Sequence, residues 1–155
     1  MSNYKMVEWD YSTLDKNSKI VFISSEFNRN FTQELEEINE KFLKNKWFKN
    51  ITKFLVPWAF EIPGFLKKVE KKMKPDLVIC FWVVIRWETT HYDMVAWESA
   101  RGIMNISIEN SDLAIINAVL TCENEKQVIA RIAQSDVYSV SGLNLLWEIK
   151  KIPSI

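Results

Sequence analysis

The sequence predicts a three-layer α/β/α domain built on a four-stranded parallel sheet. Four short, almost continuously apolar runs alternate along the chain with segments in which apolar residues recur every three or four positions. Strands that are buried on both faces produce such runs, and amphipathic helices produce the three- and four-residue spacing. Because crossovers between parallel strands are right-handed, helices should cover both faces of the sheet, as in flavodoxin-like folds.

The predicted strands are residues 19–24, 51–56, 77–85 and 113–120. Each is apolar and short enough for a buried strand. Pro57 ends the second strand, and Asp76 and Arg86 bracket the third. We expect these four segments to form the core of the domain.

The predicted helices are residues 31–46, 61–73, 92–108, 123–134 and, with the weakest pattern, 142–152. The first three carry an apolar stripe at helical spacing, and Pro63 is tolerated in the first turn of the second helix. Ser99 is small enough to let the third helix approach the sheet. The fourth has acidic residues at its start and Arg131 near its end, as the helix dipole favours.

Length and composition limit the possible classes of protein. A chain of 155 residues is about one domain. We assign residues 19–155 to that domain and residues 1–18, which are polar and without a period, to an N-terminal arm outside the core. The 20 basic and 20 acidic residues balance, so the charge does not indicate binding to nucleic acid or to a membrane.

Two further features of the sequence bear on the cellular location of the protein. The apolar runs are shorter than the roughly 18 residues of a membrane span, and the N-terminal residues are too polar for a secretory signal. Cys80 and Cys122 lack the spacing of a metal site, which indicates reduced thiols. We therefore expect a cytoplasmic protein.

The stretch from Val83 to Asp93 combines the end of a buried strand, a polar loop and the start of a helix. Ligands of open α/β sheets bind at the carboxyl ends of strands. Backbone N–H groups at a helix start bind anions, and Thr89 and Thr90 would add hydroxyl donors. The residues alone predict an anion site here, with phosphate as the expected anion.

Several blocks resemble the lumazine synthase family. Residues 83–93 resemble its V-I-R-G-(E/D)-T-x-H-(F/Y) loop, Phe27-Asn28 its R-F-N loop, and residues 56–63 its V-P-G-A-(F/Y)-E-I-P block. Residues 119–121, with Glu125, Gln127 and Arg131, resemble its V-L-T…E-Q…R segment. The order and spacing of the blocks agree from about residue 19 to residue 131. The chain is therefore similar to this family over most of its length.

The resemblance implies a transferase of riboflavin biosynthesis that uses no cofactor and no metal. Its members condense 5-amino-6-(D-ribitylamino)uracil with 3,4-dihydroxy-2-butanone 4-phosphate and release 6,7-dimethyl-8-ribityllumazine, phosphate and water. The implied residues for binding the ribitylaminouracil are Phe27, Ala59, Phe60, Glu61, Val83, Val84 and Ile85. Outside that resemblance, Phe27 would be read as covering the sheet edge, Glu61 as a helix-start acid and the others as core.

The implied residues for binding the butanone phosphate are Glu88, Thr89, Asn117 and Arg131. Asn117 and Arg131 would come from a neighbouring subunit, with Arg131 gripping the phosphate in a bidentate contact. His91 is the implied general acid and base, because histidine suits proton transfer near neutral pH. Alone, Arg131 would be read as a solvated helix residue and His91 as a structural or exposed one.

A site shared between subunits implies an obligate oligomer, either a pentamer or a shell of pentamers, and riboflavin synthase is the implied protein partner. Two other classes of function stay open. One is a catalytically impaired relative that binds a flavin or phosphate ligand or forms a shell. The other is an unrelated flavodoxin-like phosphate binder.

The chain departs from the family pattern in two ways. It lacks the lysine-containing N-K-G stretch that follows the family's arginine. Tryptophan also replaces family glycines, at Trp47, Trp58, Trp82, Trp87 and Trp97. Glycine occurs only 3 times and tryptophan 7 times, and together they would make an ordinary glycine content. We hypothesise that a reassigned codon, read here as tryptophan, encodes glycine in the native host.

Overall fold

A computed structural model describes residues 5–86, 91–110 and 112–153 of the chain. Its four strands are β1 (Ile20–Ser25), β2 (Ile51–Val56), β3 (Leu77–Ile85) and β4 (Ala114–Cys122). Its five α-helices are α1 (Arg29–Asn45), α2 (Ile62–Met73), α3 (His91–Glu109), α4 (Glu125–Ile132) and α5 (Val137–Lys151). Each predicted strand and helix is therefore present.

All four strands are parallel, in the order β2-β1-β3-β4. Successive side chains of a strand point to opposite faces, and each face has its own buried cluster. One cluster holds Phe22 and Phe81 under α1, α4 and α5, and the other holds Val21 and Cys80 under α2 and α3. The predicted three-layer α/β/α fold is confirmed.

Two helices begin later than predicted. The fourth helix begins at Glu125 rather than at residue 123, because the Asn124 side chain accepts the Gln127 N–H at 2.9 Å. The second helix begins at Ile62, after a short 3-10 helix at Ala59–Glu61.

The last helix is longer than predicted. It begins at Val137 and not at residue 142. Valine and serine favour helices weakly, so local propensity gave no signal over the first turn. Burial supplies the missing stability: Ser139 is fully buried, and its N–H and hydroxyl donate to the Asn39 side chain of α1 at 3.1 Å and 2.6 Å.

The expectation that residues 1–18 stay outside the core is wrong for Tyr11 and Leu14, which are buried against α1 and α5. The Tyr11 hydroxyl donates to Asn144 at 2.7 Å, and the rings of Trp9 and Trp147 meet edge to face. These few apolar residues have no period of their own, so only their burial in the folded chain reveals their role. The boundary drawn at residue 18 stays a prediction.

Trp47 has a left-handed backbone, with φ at 73°. Its N–H donates to the Lys44 carbonyl and the Phe48 N–H donates to the Leu43 carbonyl, both at 3.0 Å. This is the Schellman pattern that ends many helices, in which glycine usually takes the left-handed position. The backbone at residue 47 thus has the conformation that the family's glycine would supply.

No helix in the described part of the chain is both long and apolar enough to cross a lipid bilayer.

Candidate active site

A pocket of about 330 Å³ opens at the carboxyl end of the sheet. The chain leaves β1 toward β2 on one side and reaches β3 on the other, so strand order reverses between β1 and β3. Open α/β sheets bind their ligands at such a reversal. The pocket is lined by Ser25, Phe27, Trp58, Ala59, Phe60, Glu61, Val83, Val84, His91, Tyr92 and Val95.

Phe27 reaches the pocket because the β1–β2 ladder continues past the end of β1. The Glu26 N–H donates to the Val56 carbonyl at 2.7 Å, and the Phe27 N–H donates to the Pro57 carbonyl at 3.1 Å. Its ring is partly exposed and lies 4.9 Å from the ring of Trp58. An aromatic face held in this way at a pocket mouth can stack on a planar ligand.

Glu61 ends the short 3-10 helix that follows β2. Its Oε2 accepts the Trp58 backbone N–H at 3.0 Å, so the carboxylate caps the N–H at the start of this turn. A carboxylate oxygen that is not engaged in the cap can still accept a ligand hydroxyl. Ala59 is buried in the same turn and Phe60 is exposed.

Val83 and Val84 form the β3 wall of the pocket. The side chain of Val84 belongs to the cluster under α2 and α3, together with the pocket residues Ala59 and Val95. The side chains of Val83 and Ile85 pack on the opposite face, in the cluster under α1, α4 and α5, as the alternation of a strand requires. Ile85 is not among the described residues that line the pocket.

His91 is the first residue of α3, and it is exposed at the pocket. The Arg86 side chain fixes the first turn of α3 to the end of β3. Its guanidinium lies 3.6 Å from Asp93 and 5.2 Å from the centre of the Tyr92 ring. A second carboxylate, Glu123, lies 3.4 Å from the same guanidinium. Arg86, which follows β3, thus contacts both the first turn of the helix that begins at His91 and Glu123, which follows β4.

Arg131 and Asn117 do not join the described residues that line this pocket. Arg131 lies at the β4 edge, where its Nη1 donates to the Thr121 carbonyl at 3.2 Å and contacts the Cys122 Sγ at 3.3 Å. The side chain of Asn117 accepts the indole N–H of buried Trp82 at 2.7 Å. Burial raises the pKa of Tyr138 to about 12, although the positive charge of Arg131 acts to lower it. The Tyr138 hydroxyl beside Arg131 is therefore neutral.

The predicted phosphate contacts at Glu88 and Thr89 lie outside the described residues, as does Trp87. Within the described residues, no group of three or more His, Cys, Asp or Glu side chains could hold a metal ion.

Four lining residues were not predicted from the sequence: Ser25, Trp58, Tyr92 and Val95. Tyr92 and Val95 fall within the third predicted helix, and Trp58 is one of the tryptophans at family glycine positions. The available signal in the sequence was adjacency, since Trp58 precedes Ala59 and Tyr92 follows His91. Whether Tyr92 and Val95 face the cavity depends on how closely α3 approaches β3.

The chain is similar along most of its length to proteins of one family. A family model described as 6,7-dimethyl-8-ribityllumazine synthase matches residues 17–144. Curated proteins of that name from Campylobacter jejuni subsp. doylei and Nautilia profundicola are each 39% identical over 120 residues, which cover 76% of this chain and 77% of theirs. One from Campylobacter jejuni subsp. jejuni is 38% identical over the same share. The chain belongs to the 6,7-dimethyl-8-ribityllumazine synthase family.

Proposed function

We propose that this chain is a 6,7-dimethyl-8-ribityllumazine synthase, the transferase of riboflavin biosynthesis that condenses 5-amino-6-(D-ribitylamino)uracil with 3,4-dihydroxy-2-butanone 4-phosphate. The observation that carries the proposal is the convergence of Phe27, Glu61 and His91, from three separate segments, on one pocket in a chain of this family. Family membership excludes the unrelated phosphate binder.

The ribitylaminouracil binds in the apolar part of the pocket. Its pyrimidine stacks on Phe27 and meets the β3 wall at Val83, Val84 and the main chain of Ile85. Its ribityl chain runs along the corner after β2, with Ala59, Phe60 and Glu61 as partners. Glu61 accepts a ribityl hydroxyl with the carboxylate oxygen that does not cap Trp58. The apolar walls exclude water while a few polar groups set the orientation.

Protons move through His91. The amino group of the pyrimidine attacks the ketone carbonyl, and loss of water gives an imine. Loss of a proton from the carbon next to the imine lets the C–O bond to phosphate break, and the enol that remains tautomerises to a carbonyl. The ribitylamino nitrogen attacks this carbonyl, and loss of the second water closes the ring. His91 accepts and returns the protons of these steps from its place at the start of α3. Holding the two substrates together contributes more than proton transfer: about 7–11 kcal/mol against about 10²–10⁴-fold in rate.

The phosphate substrate binds between subunits. Backbone N–H groups of Glu88 and Thr89 bind it from one subunit, and Arg131 and Asn117 come from the next. Arg131 lies at the β4 edge, whereas the pocket opens among β1, β2, β3 and α3. A head-to-tail contact would bring the β4 edge of one subunit to the pocket of another. Such a contact forms a ring when its rotation closes, as the proposal requires.

From the resemblance to the family we infer that the assembly is a pentamer, alone or as the unit of a shell, and that riboflavin synthase receives its product. Exposed apolar side chains on α3, at Met104 and Ile108, would be covered there. We expect the assembly in the cytoplasm, where the buried free thiols of Cys80 and Cys122 stay reduced.

The direct test is to incubate the purified protein with both substrates and follow the fluorescence of the lumazine product. Activity is expected. A protein that assembles but forms no lumazine would indicate the catalytically impaired relative instead.

The shared site is tested by co-expressing His91→Ala and Arg131→Ala subunits. In a mixed ring, some pockets combine an intact His91 with an intact Arg131 from the neighbour. Mixed rings should therefore be more active than either homogeneous variant, and analytical ultracentrifugation should give the mass of the ring. Mixed activity equal to the average of the two variants, or a monomer, would contradict a shared site.

A further inference from the structure

Asn28 follows Phe27 and occupies the N-cap position of α1 with an unusual backbone. Its φ and ψ are 60° and 39°, in the left-handed region, and its side chain makes no capping hydrogen bond. An N-cap asparagine normally has an extended backbone and accepts an N–H of the first turn. Asparagine tolerates the left-handed region better than most residues, but the conformation still has a cost. Something other than helix capping must stabilise it.

The Asn28 side chain is used across the sheet instead. Its Nδ2 donates to the Val83 carbonyl at 2.9 Å. A carbonyl can only accept, which fixes the orientation of the amide. Pairing between β1 and β3 ends at Ser24 and Phe81, so Val83 lies two positions past the last pair. The amide thus continues the β1–β3 ladder after the β1 backbone has turned away.

This hydrogen bond joins two walls of the pocket. Phe27 is held toward β2 through its N–H on the Pro57 carbonyl, and its own carbonyl accepts the Ser25 hydroxyl at 3.1 Å. Toward β3, the polar link is made by the next residue, Asn28. Phe27 and Val83 both line the cavity. The spacing between the aromatic ring and the β3 wall therefore depends on Asn28.

We propose that Asn28 is a positioning residue for the pyrimidine substrate: it holds the ring of Phe27 at a stacking distance from the β3 wall. The proposal rests on the proposed function. Asn28 need not touch the substrate, because it acts through Phe27 and Val83. Its left-handed backbone is the conformation that lets its amide reach β3 while Phe27 faces the cavity.

Two substitutions separate the hydrogen bond from the backbone. Asn28→Gly accepts the left-handed backbone but removes the donor, and Asn28→Asp keeps the size while placing an acceptor against the Val83 carbonyl. With a hydrogen bond of ordinary strength, each should raise the Kd of the ribitylaminouracil, measured by calorimetry without the second substrate, by about tenfold. The KM for the butanone phosphate should stay within about twofold. Asn30→Ala, an exposed asparagine in the first turn of α1, is the matched control and should leave both constants unchanged.

A double-mutant cycle tests whether Asn28 acts through Phe27. Phe27→Ala removes the ring, so adding Asn28→Gly to it should weaken binding of the pyrimidine no further. An equal weakening in both backgrounds, or unchanged binding in folded Asn28→Gly and Asn28→Asp proteins, would overturn the proposal. If Asn28→Gly does not fold, Asn28→Asp gives the same two readings. Failure of the unsubstituted protein to bind the pyrimidine or form lumazine would overturn the proposed function instead.

Discussion

Among single residues, Trp47 combines a large side chain with a left-handed backbone that glycine usually adopts. A non-glycine residue in the left-handed region costs about 1–2 kcal/mol, and glycine avoids that cost while losing about 0.5–1 kcal/mol to chain entropy. The exposed Trp47 ring recovers little beyond a contact with Lys49. We expect Trp47→Gly to raise the free energy of unfolding by roughly 0.5–1 kcal/mol in urea titrations.

Trp97→Gly is the matched control for Trp47→Gly. Both tryptophans are exposed, at 68% for Trp47 and 75% for Trp97, but Trp97 lies inside α3. Glycine in a helix interior is unfavourable, so this change should lower stability by a few tenths of a kcal/mol to about 1 kcal/mol. Equal effects of the two substitutions would show that the backbone of residue 47 is not the cause.

The codon hypothesis predicts a mass. Protein purified from the native host should be lighter than the printed sequence by a whole number of Trp-to-Gly exchanges, and peptide mapping should place one at residue 47. The fully buried Trp82, bonded to Asn117, provides a contrasting case, because glycine there would leave the space of an indole to be filled. An intact mass equal to that of the printed sequence would refute the hypothesis.

His91 should affect rate more than binding. His91→Ala should lower kcat by about 10²–10⁴-fold without abolishing turnover, because the remaining residues still orient both substrates. Stopped-flow fluorescence of the lumazine product gives kcat and both KM values. Asn30→Ala, on the exposed face of α1 and outside the pocket, is the control and should leave kcat unchanged. An unchanged kcat in His91→Ala would remove the assigned role.

At the scale of elements, Gly102 sets how closely α3 packs on α2. A Cβ on Gly102 would lie 2.7 Å from the Cβ of Pro63, whose ring cannot rotate away. Overpacking of this kind costs about 1–3 kcal/mol, more than the roughly 1 kcal/mol that alanine gains over glycine in a helix. Gly102→Ala should therefore lower the free energy of unfolding.

Gly64→Ala is the control for this contact, since Gly64 lies in α2 and nothing lies within 4 Å of an added Cβ. It should stabilise the protein by up to about 1 kcal/mol. Pro63 lies two residues after Glu61, which lines the pocket. A clash that displaces Pro63 should therefore move Glu61, so Gly102→Ala should also weaken binding of the ribitylaminouracil and Gly64→Ala should not. The same sign for both substitutions in chemical denaturation would contradict this account.

At the scale of the whole molecule, burial makes stability fall in alkali. Burial raises the pKa of the Cys80 thiol from 9.0 to about 12 and that of Tyr138 from 10.0 to about 12. Both groups are neutral when protonated, so the folded protein keeps protons that the unfolded chain releases. The contribution of the two groups to the free energy of unfolding is complete below about pH 9 and is lost as the pH rises toward 12.

The measurement is urea unfolding between about pH 8 and pH 11. Cys80→Ala should be less stable at every pH because it loses packing, but its stability should fall less steeply as the pH rises. The pH dependence of Cys80→Ala is compared with that of Cys122→Ala, which removes the buried thiol beside Arg131. Parallel curves for Cys80→Ala and the unsubstituted protein would contradict the prediction.

The fold class and the order of the elements could be predicted from the amino-acid sequence alone. Apolar runs such as residues 77–85 can be buried only between two helix layers, and the stripes of α1 and α2 repeat at the helical period. The same pattern indicated a ligand at the carboxyl ends of the strands. Motif resemblance then named Phe27, Glu61 and His91, which are local features of three turns.

Which of these residues share a cavity and which lie apart depends on how the elements pack together. Burial of Tyr11, the early start of α5 and the position of Arg131 at the β4 edge each depend on contacts between segments far apart in the chain. The link from Asn28 to Val83 is of the same kind. Local propensity and period describe one segment at a time, whereas the free energy of these contacts exists only once two segments meet.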